Sequence, residues 1–206
     1  MSNIKLYSLA PIDRSARVRW LFEEVGIDFE QVWMNPQTNE HMGDAYKRVN
    51  PFGKVPGVER DGDVLYESGA IILDTLERHP ESSLAPKPGD VDRFEFLKWL
   101  MWGYQTLEAA VLAYVRNYDK PEDDLMRQDA IVQVDRMIGP LDKHMSSRDY
   151  VLGDAFSAAD IVIGYDLAIA KMRRFPFEHY PNVARYVERL AARPAAKALF
   201  DAVLQQ

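Results

Sequence analysis

The sequence predicts an α/β unit followed by an all-helical unit. Up to about residue 80, short apolar runs with strand character alternate with segments of helical period. A stretch rich in proline and serine, typical of a linker, comes next. Beyond it the apolar residues keep helical period and no strand pattern remains. We therefore expect one domain at residues 1–80, a linker at 81–89 and a second domain at 90–206.

The first unit opens with a β-α-β pattern. Ile4–Leu9 is a short apolar strand candidate. Ser15–Val25 carries apolar residues at helical spacing, and Gly26 is a residue type that commonly ends a helix. Phe29–Met34 has strand character, and Asn35–Asn50 is predicted to be a loop that contains one short helix.

The stretch Asn50–Ile71 is the most informative part of the chain. Val55 precedes Pro56, and the proline ring pushes the preceding residue into extended conformation. Asp61-Gly62-Asp63 is a turn signal between two short apolar runs. The pattern predicts a β-hairpin that leads into a third helix.

The start of this third helix has the features of an ion-binding site. Ser68 suits the N-cap position, and a helix N-terminus offers free N–H groups to an anion. The carboxylate of Glu67 could hold a cation beside it. A site that takes an anion and a cation together is suited to an amino-acid zwitterion.

Composition and charge exclude several function classes. The net charge is −7 and the acid excess is spread evenly over the two halves, so no basic face is implied and we expect neither nucleic acid nor an anionic membrane as a partner. The sequence shows no apolar run of membrane-spanning length and no signal peptide, from which we expect a cytoplasmic protein. The chain has no cysteine, so any thiol in its chemistry comes from a ligand, and we expect no metal site.

The order of these features resembles the glutathione transferase family, in its theta-like and bacterial form, from Ile4 to the last helix. The resemblance implies a thioredoxin-like domain that binds glutathione, followed by a helical domain with a pocket for a hydrophobic electrophile. It also implies a homodimer that acts in detoxification. Glutathione would be conjugated to electrophiles or would reduce peroxides or disulfides. The alternative is a relative of the same fold that binds proteins and has little turnover.

The resemblance assigns the glutathione contacts to residues of the first unit. Val55, before a cis Pro56, would pair through its backbone with the cysteinyl part of the tripeptide. Glu67 and Ser68 would hold the γ-glutamyl end.

The glycyl carboxylate has its own pair of predicted contacts, Lys54 and His41. Phe52 stands where some family members insert an aromatic side chain into the partner subunit. Alone, each of these residues is a common type of surface or core residue, and the assignment depends on the motif as a whole.

The group that activates the thiol is where the sequence departs from the family. The family's serine position falls on Ile12, which has no side-chain donor. Tyr7, Ser8, Ser15 and Arg14 are the nearby alternatives, together with a backbone N–H. We favour Ser15, because positive potential at a helix start stabilises a thiolate. Ser15 could instead serve as the N-cap of that helix.

The helical half contains a capping motif and an aromatic helix. Ser157 and Asp160 have capping-box spacing, with Phe156 at the staple position, and Pro194 should divide the closing helices. A helix from Val91 to about Arg116 carries a stripe of apolar and aromatic residues that is typical of packing. Within this helix, the resemblance implies three residues of the electrophile pocket: Trp102, Tyr104 and Tyr114.

Overall fold

The computed structural model describes residues 3–204. The chain divides into two compact units, Met1–Ser82 and Ser83–Gln206. The division falls close to the predicted end of the first domain at residue 80. The predicted architecture, an α/β unit followed by a helical unit, is confirmed.

The first unit is built on a four-stranded sheet with the order β2-β1-β3-β4. Its strands are β1 Ile4–Ser8, β2 Glu30–Trp33, β3 Gly57–Arg60 and β4 Asp63–Tyr66. Its helices are α1 Ser15–Val25, α2 Asp44–Lys47 and α3 Ser68–Arg78. Strands β1 and β2 are parallel, whereas the β1–β3 and β3–β4 pairs are antiparallel. The predicted βαβ unit and hairpin are both present.

Local sequence explains why the first helix lies where it does. In α1 the apolar positions Val18, Leu21 and Phe22 are all buried, so the helix has a continuous apolar face. The helix ends at Gly26, which has a left-handed φ of 78° that costs glycine little.

The second unit contains only helices and short turns within the part of the chain that the structure describes. They are α4 Arg93–Met101, α5 Glu108–Asn117, α6 Leu125–His144, α7 Ala158–Met172, α8 Pro181–Ala191 and α9 Lys197–Leu204. Helix α7 is the centre of this unit, since every residue from Ala158 to Ala170 is buried. A 3-10 turn at Pro194–Ala196 separates α8 from α9, which confirms the predicted break.

The predicted capping box at the start of α7 is present. Asp160 is fully buried and accepts hydrogen bonds from the backbone N–H of Ser157 at 2.8 Å and of Val151 at 2.9 Å. It also accepts from the hydroxyl of Tyr186, at 2.7 Å. Because a buried charge is costly without partners, these bonds anchor the first turn of α7 to its surroundings.

The single helix expected over residues 91–116 is interrupted. A π-helical turn, Trp102–Leu107, joins α4 to α5. Gly103 lies in this turn, and a Cβ added there would be 2.9 Å from Val162 Cγ1 and 3.2 Å from Ile163 Cγ1. The close approach to α7 explains the glycine. The predicted stripe is otherwise packed, with Leu100, Leu107 and Val111 buried.

Candidate active site

Strand register brings three parts of the first unit to one end of the sheet. Tyr7 of β1 is paired with Gly57 of β3, and Gly57 is paired with Tyr66 of β4. The residues just outside these pairs therefore lie side by side. They are Ser8 and the loop after it, the Val55-Pro56 pair, and the Glu67-Ser68 pair. The sequence-predicted glutathione contacts are thus gathered from separate segments.

The Val55–Pro56 peptide bond is cis, as predicted. Pro56 is buried and Val55 is half-buried. Within residues 3–204 no backbone hydrogen bond is made by the N–H or the carbonyl of Val55. Both backbone groups are therefore available to an extended peptide, in the manner of an added strand.

The carbonyl of Lys54, next to Val55, is fixed by two buried side chains. It accepts hydrogen bonds from the Tyr46 hydroxyl at 2.6 Å and from Asn50 Nδ2 at 2.7 Å. Tyr46 and Asn50 are 3% and 2% exposed. The side-chain amide of Asn50 also accepts from the N–H of Phe52 at 3.1 Å. Sequence reasoning missed these two supporting residues, because their contacts depend on how the loop folds back.

Glu67 and Ser68 form the start of α3, but not in the predicted capping arrangement. Ser68 is the first helical residue, and the N-cap position is Glu67, whose φ of 69° is left-handed. No side chain caps this helix. The Ser68 cap prediction is therefore wrong, because the chain turns one residue earlier than expected. Ser68 is 6% exposed, Glu67 is exposed, and no hydrogen bond is made by either side chain to residues 3–204.

The two residues that are predicted to bind the glycyl carboxylate, Lys54 and His41, lie on neighbouring segments. Lys54 is exposed, and His41 is half-buried with an Nδ1 atom that is buried and unpaired within residues 3–204. Gly53, with a φ of 60°, packs so closely that an added Cβ would be 2.9 Å from the carbonyl oxygen of His41. The backbone of His41 thus lies against the residue that precedes Lys54.

The hydroxyls of Ser8 and Ser15 belong to one directed hydrogen-bond chain. Both residues are completely buried. Gln31 Nε2 donates to Ser8 Oγ at 2.8 Å, Ser8 Oγ and Ser15 Oγ are hydrogen-bonded, and Ser15 Oγ donates to Asp13 Oδ1. Because Ser15 gives its single proton to Asp13, Ser8 must be the donor to Ser15. Neither hydroxyl keeps a proton for a ligand.

Asp13 is the acceptor that organises this loop, and sequence reasoning missed it. Its Oδ2 accepts from the N–H groups of Leu9 at 2.6 Å and Ala10 at 2.8 Å, and its Oδ1 accepts from the N–H of Ser15 at 2.7 Å. Ser15 is the first residue of α1 rather than its N-cap. The geometry therefore favours neither of the two roles considered for Ser15. The signal that was overlooked is an aspartate two residues before a helix start, where a carboxylate can bind free N–H groups.

Two further alternatives for the thiol-activating group differ sharply in their surroundings. Burial raises the pKa of Tyr7 to about 12, and the nearby carboxylate of Glu59, to which its hydroxyl is hydrogen-bonded, adds to the rise. Tyr7 therefore stays protonated at neutral pH, and its hydroxyl proton is directed to Glu59. Arg14 is exposed and occupies the N-cap position of α1.

The three predicted pocket residues lie on the π-helical turn and on α5. Trp102 and Tyr104 are half-buried, and Trp102 meets Trp99 edge-on with ring centroids 5.3 Å apart. Tyr114 is 6% exposed, its hydroxyl donates to the carbonyl of Arg173 at 2.8 Å, and burial raises its pKa. Tyr114 is thus part of the packed interior of the helical unit, whereas Trp102 and Tyr104 keep exposed surface.

Comparison with known proteins identifies the family. Residues 2–73 match the model of the glutathione S-transferase N-terminal domain, and residues 105–194 match that of its C-terminal domain. The solved structure of a sphingomonad glutathione S-transferase complexed with glutathione is 30% identical. It matches over 98% of this chain and 100% of its own, with a TM-score of 0.81. The chain belongs to the glutathione S-transferase family. The predicted family and enzyme class are confirmed.

Other relatives agree with this assignment. A glutathione transferase structure from Methylococcus capsulatus is 26% identical over 98% of this chain and 100% of its own, with a TM-score of 0.84. Protein LigF of a Sphingobium strain is 27% identical over 96% of this chain and 93% of its own length. The structure of LigF, named a beta-etherase, has a TM-score of 0.80 at 25% identity over 97% of this chain and 99% of its own.

Among residues 3–204, no group of His, Cys, Asp or Glu side chains is arranged to hold a metal ion. No helix in the same range combines the length and the apolar character needed to cross a membrane.

Proposed function

We propose that this glutathione transferase binds the tripeptide at the end of the sheet where Val55, Glu67 and Ser68 meet. The observation that carries the proposal is the register of β1, β3 and β4, which aligns a backbone without partners at Val55 with the uncapped start of α3. Val55 would pair with the cysteinyl backbone. Ser68 and the first N–H groups of α3 would bind the γ-glutamyl carboxylate, and Glu67 its ammonium group.

The glycyl carboxylate is assigned to Lys54 and His41. Lys54 supplies an exposed positive charge, and His41 supplies a half-buried imidazole ring. Support for the pair comes from Gly53, which brings the two segments into contact.

The thiol chemistry is assigned to Arg14 in place of Ser15. Glutathione has a thiol pKa near that of free cysteine, about 8.5, so a cation is needed to favour the thiolate at neutral pH. Arg14 is exposed at the start of α1, where the helix adds positive potential. The thiolate would attack an electrophilic carbon. A C–S bond forms, and the leaving group departs with its electron pair.

The electrophile is proposed to be a small hydrophobic molecule in contact with Trp102 and Tyr104, whose half-buried rings favour apolar and aromatic surfaces. Since LigF is named a beta-etherase, an ether belongs in the first substrate panel beside halogenated and peroxide substrates. Release of the leaving group distinguishes conjugation from reduction, which instead yields glutathione disulfide.

The test of the binding site is calorimetry with glutathione on the full chain. Ser68→Ala and Glu67→Gln should each weaken affinity by about 1.5–3 kcal/mol, the range for a hydrogen bond to a charged group. Ser83→Ala, a substitution in the second unit, is the matched control and should leave affinity unchanged. Wild-type affinity in both site variants would refute the assignment.

We also propose that the protein is a cytoplasmic homodimer that acts in detoxification, as the family assignment favours. The exposed aromatic residues Phe52 (65%) and Phe94 (74%) are suited to a partner surface. Light scattering at micromolar concentration should give twice the mass of one chain, and Phe52→Ser should reduce that mass. Cell fractionation tests the location.

A further inference from the structure

A cavity of about 260 Å³ lies within the first unit, between the sheet and helices α1 and α3. Its apolar wall consists of Ile4, Phe22, Ile27, Val58, Leu65 and Ile71. Its polar side consists of Arg60, Asp61, Asp74, Thr75, Arg78 and His79. None of these residues is needed for the proposed glutathione site.

The cavity lies at the opposite end of the sheet from that site. Ile4 is paired with Arg60, at the start of β1 and the end of β3. On α3 the cavity is lined by Ile71, Asp74, Thr75 and Arg78, whereas the proposed glutathione contact is Ser68. Since a helix rises about 1.5 Å per residue, Asp74, the hydrogen-bond partner of Arg60, lies roughly 9 Å along the axis from Ser68, and Arg78 lies roughly 15 Å from it.

Arg60 is the residue that gives this cavity a chemical preference. Its side chain is only 15% exposed. Nη1 donates to Asp74 Oδ2 at 2.6 Å, and Asp74 is the single hydrogen-bond partner of this guanidinium within residues 3–204. A guanidinium has five N–H donors in a planar fork, so most of them are left for a ligand. Keeping such a group largely out of water is costly unless a partner binds it.

The charges around Arg60 leave it able to bind an anion. Arg78 Nε also donates to Asp74, at 3.1 Å to each oxygen, so one carboxylate is shared by two cations. Asp61 lines the opening, but it is exposed and accepts from the N–H of Asn3 at 3.1 Å. His79 is hydrogen-bonded to Glu81 at 3.0 Å. The largely buried cation therefore faces a cavity whose anionic groups are shared or solvated.

We propose that this cavity binds a small organic carboxylate, with its apolar body against Val58, Leu65 and Ile71 and its carboxylate on Arg60. Arg binds a carboxylate through two parallel N–H donors, because the planar guanidinium and the planar anion have matching geometry. The volume is below the 300–1,000 Å³ that is typical for drug-sized ligands, so the ligand is compact.

The test is titration of the full chain with 3-phenylpropionate, followed by two-dimensional amide NMR. Shifts should concentrate at Ile4, Val58 and Thr75 and spare Val55 and Ser68. The neutral probe 3-phenylpropionamide has the same shape and should bind about tenfold more weakly or worse, as should Arg60→Gln with the acid. Leu65→Phe fills the cavity, keeps every charge and should also abolish the shifts.

Equal binding of the acid and the amide would overturn the carboxylate assignment. Absence of shifts at millimolar acid, or shifts confined to Val55 and Ser68, would overturn the site. The amide spectrum of each variant reports whether it is folded, and the Leu65→Phe variant keeps the test decisive if Arg60→Gln unfolds. Glutathione affinity should be the same in both variants and in wild type.

Discussion

The hydroxyl of Ser15 donates a hydrogen bond to the carboxylate of Asp13, and both residues lie where a thiol-activating group was expected. This bond ends a chain that starts at Gln31 and passes through Ser8. Because every proton in the chain is directed towards Asp13, the serines stabilise the loop between β1 and α1. We therefore assign the activation of the thiol to a group that is not part of this hydrogen-bond chain.

Ser15→Ala should therefore affect folding and spare the thiolate. Loss of the hydrogen bond to the charged Asp13, together with the one accepted from Ser8, should lower the free energy of unfolding by at least about 1.5–3 kcal/mol. Arg14→Gln should instead affect the thiolate and have little effect on folding. It should change the free energy of unfolding by no more than about 1 kcal/mol, since Arg14 is exposed, and should raise the thiol pKa of bound glutathione by about one unit, or 1.36 kcal/mol. Thiolate absorbance of bound glutathione against pH measures this pKa.

Arg14→Lys is the matched control for this prediction, because it keeps the charge and should keep most of the effect. A raised thiol pKa in Ser15→Ala, with a normal value in Arg14→Gln, would return the role to the serine.

Asp13→Ala should be more damaging than Ser15→Ala, because Asp13 accepts three backbone N–H groups in addition to the hydroxyl. We expect a loss of at least about 3 kcal/mol in the free energy of unfolding, measured by denaturant titration. Asp28→Ala, at an exposed aspartate just beyond α1, should change it by less than about 0.5 kcal/mol. Similar values for the two variants would contradict the role of Asp13.

The parts of the fold that depend on local pattern were predictable. Ser15–Val25 has helical period and a terminal glycine, and both bounds were predicted correctly. The Val55-Pro56 step and the Asp61-Gly62-Asp63 turn likewise predicted the hairpin. The contacts of Ser15 with Ser8 and of Ser8 with Gln31 could not be predicted, since they depend on how β1 and β2 pack beside α1. The π-helical turn could not be predicted either, since Gly103 in that turn packs against Val162 and Ile163, which are distant in sequence.

Asn50 should affect glutathione affinity, because it holds the carbonyl of Lys54, the residue next to Val55. Asn50→Asp keeps the acceptor for the N–H of Phe52 but replaces the Nδ2 donor with an oxygen that repels the Lys54 carbonyl. We expect glutathione binding to weaken by about 1–3 kcal/mol by calorimetry. Asn3→Asp, at an exposed position just before β1 and at the opposite end of the sheet, is the control and should bind normally. Normal affinity in Asn50→Asp would show that Val55 does not need this support.

Stability in acid should depend on Asp74. Burial raises the pKa of Asp74, but hydrogen bonds from Arg60 and Arg78 outweigh it and hold the pKa below its ordinary value of 3.8. Since the folded pKa is the lower one, the stabilisation is present above pH 3.8 and is lost as the pH falls through the folded value. Asp74→Asn should cost about 0.5–1 kcal/mol at pH 7, a small value because solvent screens the pair.

Denaturant titration of wild type and Asp74→Asn between pH 2 and pH 7 measures this dependence. The difference between the two should be constant at neutral pH and should shrink below pH 3.8. Asp63→Asn, at an exposed strand position, is the control and should show little difference at any pH. A difference that grows in acid would contradict the sign.

Gly103→Ala tests whether the π-helical turn is a consequence of close packing on α7. A Cβ at this position would be 2.9 Å from Val162 Cγ1, closer than packed carbon atoms approach, so the helices must separate. We expect a loss of about 1–3 kcal/mol in the free energy of unfolding, as for other overpacked cores.

Gly139→Ala in α6 is the matched control, because nothing lies within 4 Å of its added Cβ. Alanine favours a helix over glycine, but Pro140 restricts the residue before it, so this control should be close to neutral. If Trp102 and Tyr104 contact the electrophile, Gly103→Ala should also raise KM for the electrophile and leave glutathione affinity unchanged. Equal stability of the two alanine variants would mean that α4, α5 and α7 can separate freely, and the turn would then need another cause.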